Sequence, residues 1–145
     1  MTKTILTGVD DSATALRAAV KAAQLAVALD AELHLICAYG KLESEVIQSG
    51  YDEFHYSSDT EALKTARSVA RKVQAEVSGV KIVPEAASGS PAAALVRAAR
   101  EMDAEMIVVG NKRVQGFTRV LGSIARDVIA HAPCDVHVAY THERA

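Results

Sequence analysis

Two stretches of this sequence hold residues suited to binding an anion. The longer is Gly110-Asn111-Lys112-Arg113-Val114-Gln115-Gly116-Phe117-Thr118-Arg119-Val120-Leu121-Gly122-Ser123. It contains three of the chain's eight glycines and three cations, Lys112, Arg113 and Arg119, with no acid. This segment of charge +3 sits in a chain of net charge −2. Glycine lets the backbone approach an anion closely, and a helix opening at Gly122-Ser123 aims N–H groups at it. The Ser123 hydroxyl adds a donor. The chemistry that fits is the binding of a phosphate chain. The plainer alternative is that these glycines are turns and Ser123 a helix cap. A GxxxxGK[ST] phosphate loop is absent, as is an early GxGxxG, which excludes P-loop and dinucleotide-fingerprint folds.

The shorter stretch is Asp10-Asp11-Ser12. Paired acids after a first strand could form a metal pocket of the receiver type. A receiver needs a phosphoacceptor aspartate at the end of its third strand, and this chain has Val83-Pro84-Glu85-Ala86-Ala87 there. Asp10 is better read as facing a ribose, a base or nucleotide-bound Mg²⁺, and Asp11 as a helix cap. The histidines, at 34, 55, 131, 137 and 142, have no metal-ligand spacing. Cys37 reads as an inert core thiol, and Cys134 has no resolving partner for redox chemistry. No Ser-His-Asp or Cys-His arrangement is legible, so no catalytic residue is assigned.

The elements that must position these residues alternate. Thr4–Val9 is a short apolar strand, and Ser12 or Asp11 caps the helix after it. That helix carries Leu16, Val20, Ala23 and Val27 on one face. Glu32–Tyr39 is a second strand. Residues 41–57 have no period but hold Tyr51, Phe54 and Tyr56, either a lid over the ligand or a cover for a sheet edge. Ser58 and Glu61 have capping-box spacing ahead of a helix with Leu63, Ala66, Val69 or Ala70, Val73 and Val77 inward, stopped at Gly79. Val80–Ala86 is a third strand, and Pro84 places it at an edge because proline cannot donate to a ladder. Ser90-Pro91 opens a helix with Leu95, Ala99 and Met102. Glu105–Val109 is a fourth strand. A helix over Ser123–His131 and a fifth strand, Asp135–Tyr140, complete the chain. Five strands and four helices in alternation predict an α/β fold with one doubly wound parallel sheet. In such a sheet ligands bind beyond the carboxyl ends of the strands, where the order reverses. Both candidate stretches fall there.

Composition agrees. The 145 residues make one domain, 1–145, and half are hydrophobic, enough for a core. Aromatics are 4% and tryptophan is absent, whereas alanine occupies 27 positions. That favours helices packed closely on a sheet of small side chains over a β-sandwich. The net charge argues against a nucleic-acid partner. Two distant cysteines, no signal-like leader and no long apolar run point to a cytoplasmic protein without a membrane partner.

GVDDS after the first strand, GSPAAALV, and VVGNKRVQGFTRVLGSIARDVIAHAPCDVHV together resemble a universal stress protein domain over essentially the whole chain. The resemblance implies a five-stranded Rossmann-like sheet ordered 3-2-1-4-5 with helices on both faces. It implies a stress-response role through binding ATP or another adenine nucleotide, which Mg²⁺ could accompany. Residues matching Gly8, Val9, Asp10 and Ala38 would hold the adenosine end. Gly110, Gly122, Ser123 and Ile124 would hold the phosphates. ATP-binding members have a Gly-x-x-Gly before the Gly-Ser. Here Arg113 takes the second glycine's place, and the spacer to Gly122, eight residues, is one shorter. Gly116 could replace the lost glycine, and Arg113 either fills the phosphate space or salt-bridges its edge. The final strand, with Val136, Val138 and Tyr140, would pair with itself in a homodimer. The alternatives are an interaction module of this fold without nucleotide, or a weak ATPase.

Overall fold

The computed structural model of the chain describes residues 2–40, 52–111 and 121–141, with the backbone alone for 52–58. Five strands, β1 (Lys3–Gly8), β2 (Ala31–Tyr39), β3 (Ile82–Ser88), β4 (Met106–Gly110) and β5 (Asp135–Ala139), form one sheet in the order β3-β2-β1-β4-β5. Every pairing is parallel, with Ile5 opposite both Leu33 and Met106. Four helices, α1 (Ala13–Leu29), α2 (Asp52–Glu76), α3 (Pro91–Met102) and α4 (Ser123–His131), make the connections. Fold class and strand order are as expected.

The inner strands read as continuous apolar runs because both of their faces are covered. Ile5, Leu33, Leu35 and Val108 look toward α1 and α2, and Leu6, Ile36, Ile107 and Val109 toward α3 and α4. Pro84 lies opposite Leu35 on β3, the sheet's outer strand, where its missing N–H breaks no second ladder.

Local starts differ from the expectation in three places. The cap of α1 is Ser12, whose hydroxyl accepts from the Ala15 N–H at 3.1 Å, not Asp11. Helix α2 begins at Asp52, so the Ser58–Glu61 box lies inside it. Phe54 and Tyr56 therefore lie along a helix. The lid expected of Tyr51, Phe54 and Tyr56 concerns side chains outside the described residues. Strand β3 starts two residues late: Gly79 turns the chain at φ +82°, and Val80 is already buried under α2 before pairing begins.

The buried stripe of α1 also differs. Ala18, Ala19, Ala22, Ala23 and Ala26 face inward, Leu16 and Val20 pack at the flank, and Val27 is 46% exposed. Alanine permits closer approach to the sheet than the branched residues would, so the larger side chains are displaced to the margin. On β5, Val136 is half-buried against the α3–α4 side rather than exposed.

Helices α1 and α3 end alike. Asp30 (φ 56°) and Asp103 (φ 53°) adopt the left-handed conformation, and each N–H closes the last turn onto carbonyls behind it. Aspartate is unfavourable here twice, through its Cβ and through its charge at the negative end of the dipole. Asp30→Gly and Asp103→Gly should each stabilise the protein by about 0.5–1 kcal/mol, measured as a raised urea midpoint. An unchanged or lowered midpoint would show that the side chains contribute something that outweighs the strain.

Candidate functional site

The chain runs outward from β1 to β2 and β3, then returns across the sheet to β4. Beyond the carboxyl ends of β1 and β4 this reversal leaves a crevice between the described elements. A cavity of about 350 Å³ occupies it. Gly8, Val9, Asp10, Ala38, Gly110, Gly122, Ser123 and Ile124 all line it. Arg113 and Gly116 lie outside the described residues.

The inner wall is apolar, built from Ile36, Leu95, Val108, Val109 and Ala18. Such a wall suits a flat, weakly polar ring. Polar groups stand at the rim, and many already have partners. The Thr7 hydroxyl donates to the Val108 carbonyl at 2.8 Å, tying β1 to β4. The Val9 N–H donates to the Ile36 carbonyl at 2.9 Å. Asp10 Oδ1 accepts from the Ser12 N–H at 2.8 Å, so two N–H groups at the start of α1, those of Ser12 and Ala15, are met by the residues just before it.

The start of α4 is different. Gly122 is its cap, and among the described residues no side-chain cap bonds to the first-turn N–H groups. Helix geometry gives Ser123, Ile124 and Ala125 no acceptor within the helix. Helix α3 likewise begins at the cavity with Pro91 and no side-chain cap. The uncapped turn of α4 is the part of the rim suited to negative charge.

Two glycines have roles the sequence did not reveal. A Cβ on Gly8 would meet Leu95 Cδ1 at 3.2 Å, so this glycine lets α3 lie on β1. A Cβ on Gly110 would meet Thr141 Cγ2 at 3.0 Å and Ala18 Cβ at 3.8 Å. Besides lining the cavity, Gly110 makes room for Thr141 through its missing side chain. Thr141, Cys37 and Leu95 also line the cavity and were not predicted there. The signal for Cys37 and Leu95 was present, since each stands in a predicted element near its ligand end. Thr141 carries no pattern of its own.

Burial pushes the Cys37 thiol pKa up, helped by the charges of Asp10 and Asp11. Burial raises Cys134 as well, with Asp135 and Glu105 adding to it. Both therefore stay in the thiol form, as the inert reading of Cys37 expected. Away from the cavity, His34 lies between Glu85 and Glu32, and Lys81 reaches Glu32 at 3.1 Å. Hydrogen bonds from Lys81 and His34 hold the Glu32 carboxyl below its ordinary pKa. Among the described residues no group of side chains is arranged to hold a metal ion, and no helix is long and apolar enough to cross a membrane.

The sequence pattern of the Universal stress protein family matches residues 1–139. The chain belongs to that family. A universal stress protein of Methanocaldococcus jannaschii is 34% identical over 142 residues, covering 94% of this chain and 81% of that one. One from Thermus aquaticus is 34% identical over 141 residues, covering 94% and 97%. A crystal structure of a universal stress protein in complex with cAMP superposes with a TM-score of 0.72 at 27% identity, covering 97% of this chain and 98% of that one. Family membership accounts for the sheet order and for a crevice at the β1–β4 reversal.

Within this universal stress protein fold, the Gly110 contact gives a direct test of packing. Gly110→Ala should cost about 1–3 kcal/mol of stability through overpacking against Thr141. Adding Thr141→Ser, which removes Cγ2 and keeps the hydroxyl, should recover part of that loss. Strictly additive effects in urea unfolding would show that the two residues do not press on each other.

Proposed function

We propose that this member of the universal stress protein family binds ATP or another adenine nucleotide in the β1–β4 crevice and acts in stress response as a sensing or regulatory protein. The observation that carries the reading is the uncapped start of α4 beside an apolar cavity. A purine meets the apolar wall, and the phosphates meet the N–H groups of Ser123 and Ile124 and the Ser123 hydroxyl. Gly8, Val9, Asp10 and Ala38 flank the adenosine end, with the Asp10 carboxylate the acceptor nearest a ribose hydroxyl. Arg113 and Gly116 extend the phosphate end in this proposal, and Mg²⁺ would enter with the nucleotide. The similar universal stress protein in complex with cAMP supports the same ligand class. Apolar surface, backbone N–H groups and hydroxyls converge here, which favours binding over turnover.

Calorimetry with ATP, AMP and cAMP tests this. At least one should bind, and Gly122→Val, which crowds the start of α4, should weaken it about tenfold or more. No binding of any of the three at millimolar ligand would overturn the proposal.

The second part of the proposal is a homodimer through β5. This strand pairs with β4 on one side and forms the sheet edge on the other. Along that edge Val138 is 38% exposed and Tyr140 is 59% exposed, with Ile129 of α4 also exposed at 47%. A two-fold axis beside β5 would pair it antiparallel with a second copy and cover this apolar margin. Sedimentation should show a dimer at micromolar concentration and a monomer for Val138→Lys. A wild-type monomer under those conditions would remove the dimer from the proposal.

A further inference from the structure

Thr141 lies two residues beyond the end of β5, where a chain ordinarily runs out into solvent, yet it is 1% exposed. A buried polar residue persists only with partners. Among the described residues its partner is one atom: Asn111 Oδ1 accepts from the Thr141 N–H at 2.9 Å and from the Thr141 hydroxyl at 3.1 Å. The Asn111 N–H donates in turn to the Ala139 carbonyl at 3.0 Å. Three hydrogen bonds thus clasp the exit of β4 to the exit of β5. The clasp presses the Thr141 methyl into the space Gly110 leaves beside the cavity, and Thr141 forms part of the cavity wall.

We propose that Thr141, held by Asn111, is a ligand-positioning residue of this cavity, and that the clasp couples occupancy of the cavity to the end of β5. A ligand seated against Gly110 is seated against the Thr141 methyl as well. Displacing that methyl displaces both donors from Asn111 Oδ1 and loosens the backbone between Ala139 and Thr141, next to Tyr140. A ligand that fits under the methyl instead tightens the clasp. The edge strand then responds to the cavity although no ligand atom touches its outer side. The nature of the ligand rests on the nucleotide reading above, and the clasp does not.

The experiment follows amide exchange by NMR and AMP binding by calorimetry in wild type, Asn111→Ala and Thr141→Ser. Exchange at Ile5–Thr7 serves as the check that each variant is folded. In the free proteins, Asn111→Ala should speed exchange of the Thr141 amide about tenfold or more, and Thr141→Ser, which keeps both donors, should not. AMP should slow exchange at Thr141 in wild type. Asn111→Ala should abolish that slowing and weaken AMP about fivefold or more. The proposal is overturned if AMP binds wild type without changing exchange at Thr141, or if Asn111→Ala binds AMP as wild type does. If wild type binds none of AMP, ATP and cAMP, the nucleotide reading fails by itself. The clasp is then judged on the free protein, where Asn111→Ala must also speed N-ethylmaleimide modification of Cys37 in the same cavity. An unchanged rate there, or unchanged exchange at Thr141, overturns it.

Discussion

The distance between helices and sheet governs the rest of this molecule. Helix α1 turns five alanines toward the sheet and α2, and α3 turns Ala92, Ala94, Ala98 and Ala99 inward beside Leu95. Small side chains let a helix backbone lie low on the strands, where close packing supplies dispersion as well as burial. Gly8 extends the same arrangement to the sheet, because any side chain there would strike Leu95. Each parallel strand passes the chain to a helix at its carboxyl end, so helix starts gather at that edge and bound the crevice. The small residues set how low those helices lie on the strands.

Those helix starts differ in how they are satisfied. At α1 the Ser12 hydroxyl and the Asp10 carboxylate take the local N–H groups. At α4 the cap is a glycine with no side chain to offer. Among the described residues, side chains meet two N–H groups at the first terminus, and no side-chain cap meets the second. The cavity walls are tied in the same economical way: Thr7 to Val108 across β1 and β4, and Thr141 to Asn111 across the exits of β4 and β5. Each tie satisfies a polar group that burial would otherwise penalise.

Much of this was legible in the sequence because it follows from local chemistry. Alternating apolar runs and caps predict the alternating elements, Pro84 predicts the outer strand, and the reversal rule predicts the crevice from the topology. Eight of the ten expected site residues line the cavity, and the other two, Arg113 and Gly116, lie outside the described residues. What was not legible depends on contacts distant in sequence. The larger residues of α1 suggested an inward face, but closeness to the sheet favoured the alanines. Gly110 reads equally as room for an anion or for a neighbour, and the neighbour is Thr141, thirty-one residues away by numbering. The helix preceding β3 starts earlier than its capping-box signal, since an internal serine followed by glutamate does not by itself begin a helix.

Charge at the rim adds a direction to the crevice. Asp10 and Asp11 stand where β1 enters α1, and their field is felt at the Cys37 thiol, which it helps to keep protonated. The first turn of α4 also lines the cavity, with the positive end of the helix dipole behind it. An anionic group is therefore repelled beside Asp10 and attracted at the start of α4. A ligand with a neutral, hydroxyl-bearing middle and a charged end lowers its energy in one orientation and raises it in the reverse. In the binding mode proposed above, its hydroxyls would meet the carboxylate of Asp10, and its charge would meet Ser123 and Ile124. The apolar wall of Ile36, Leu95 and Val109 then receives whatever ring the ligand carries. An apolar wall that accepts many rings leaves the choice of orientation to these two electrostatic sites.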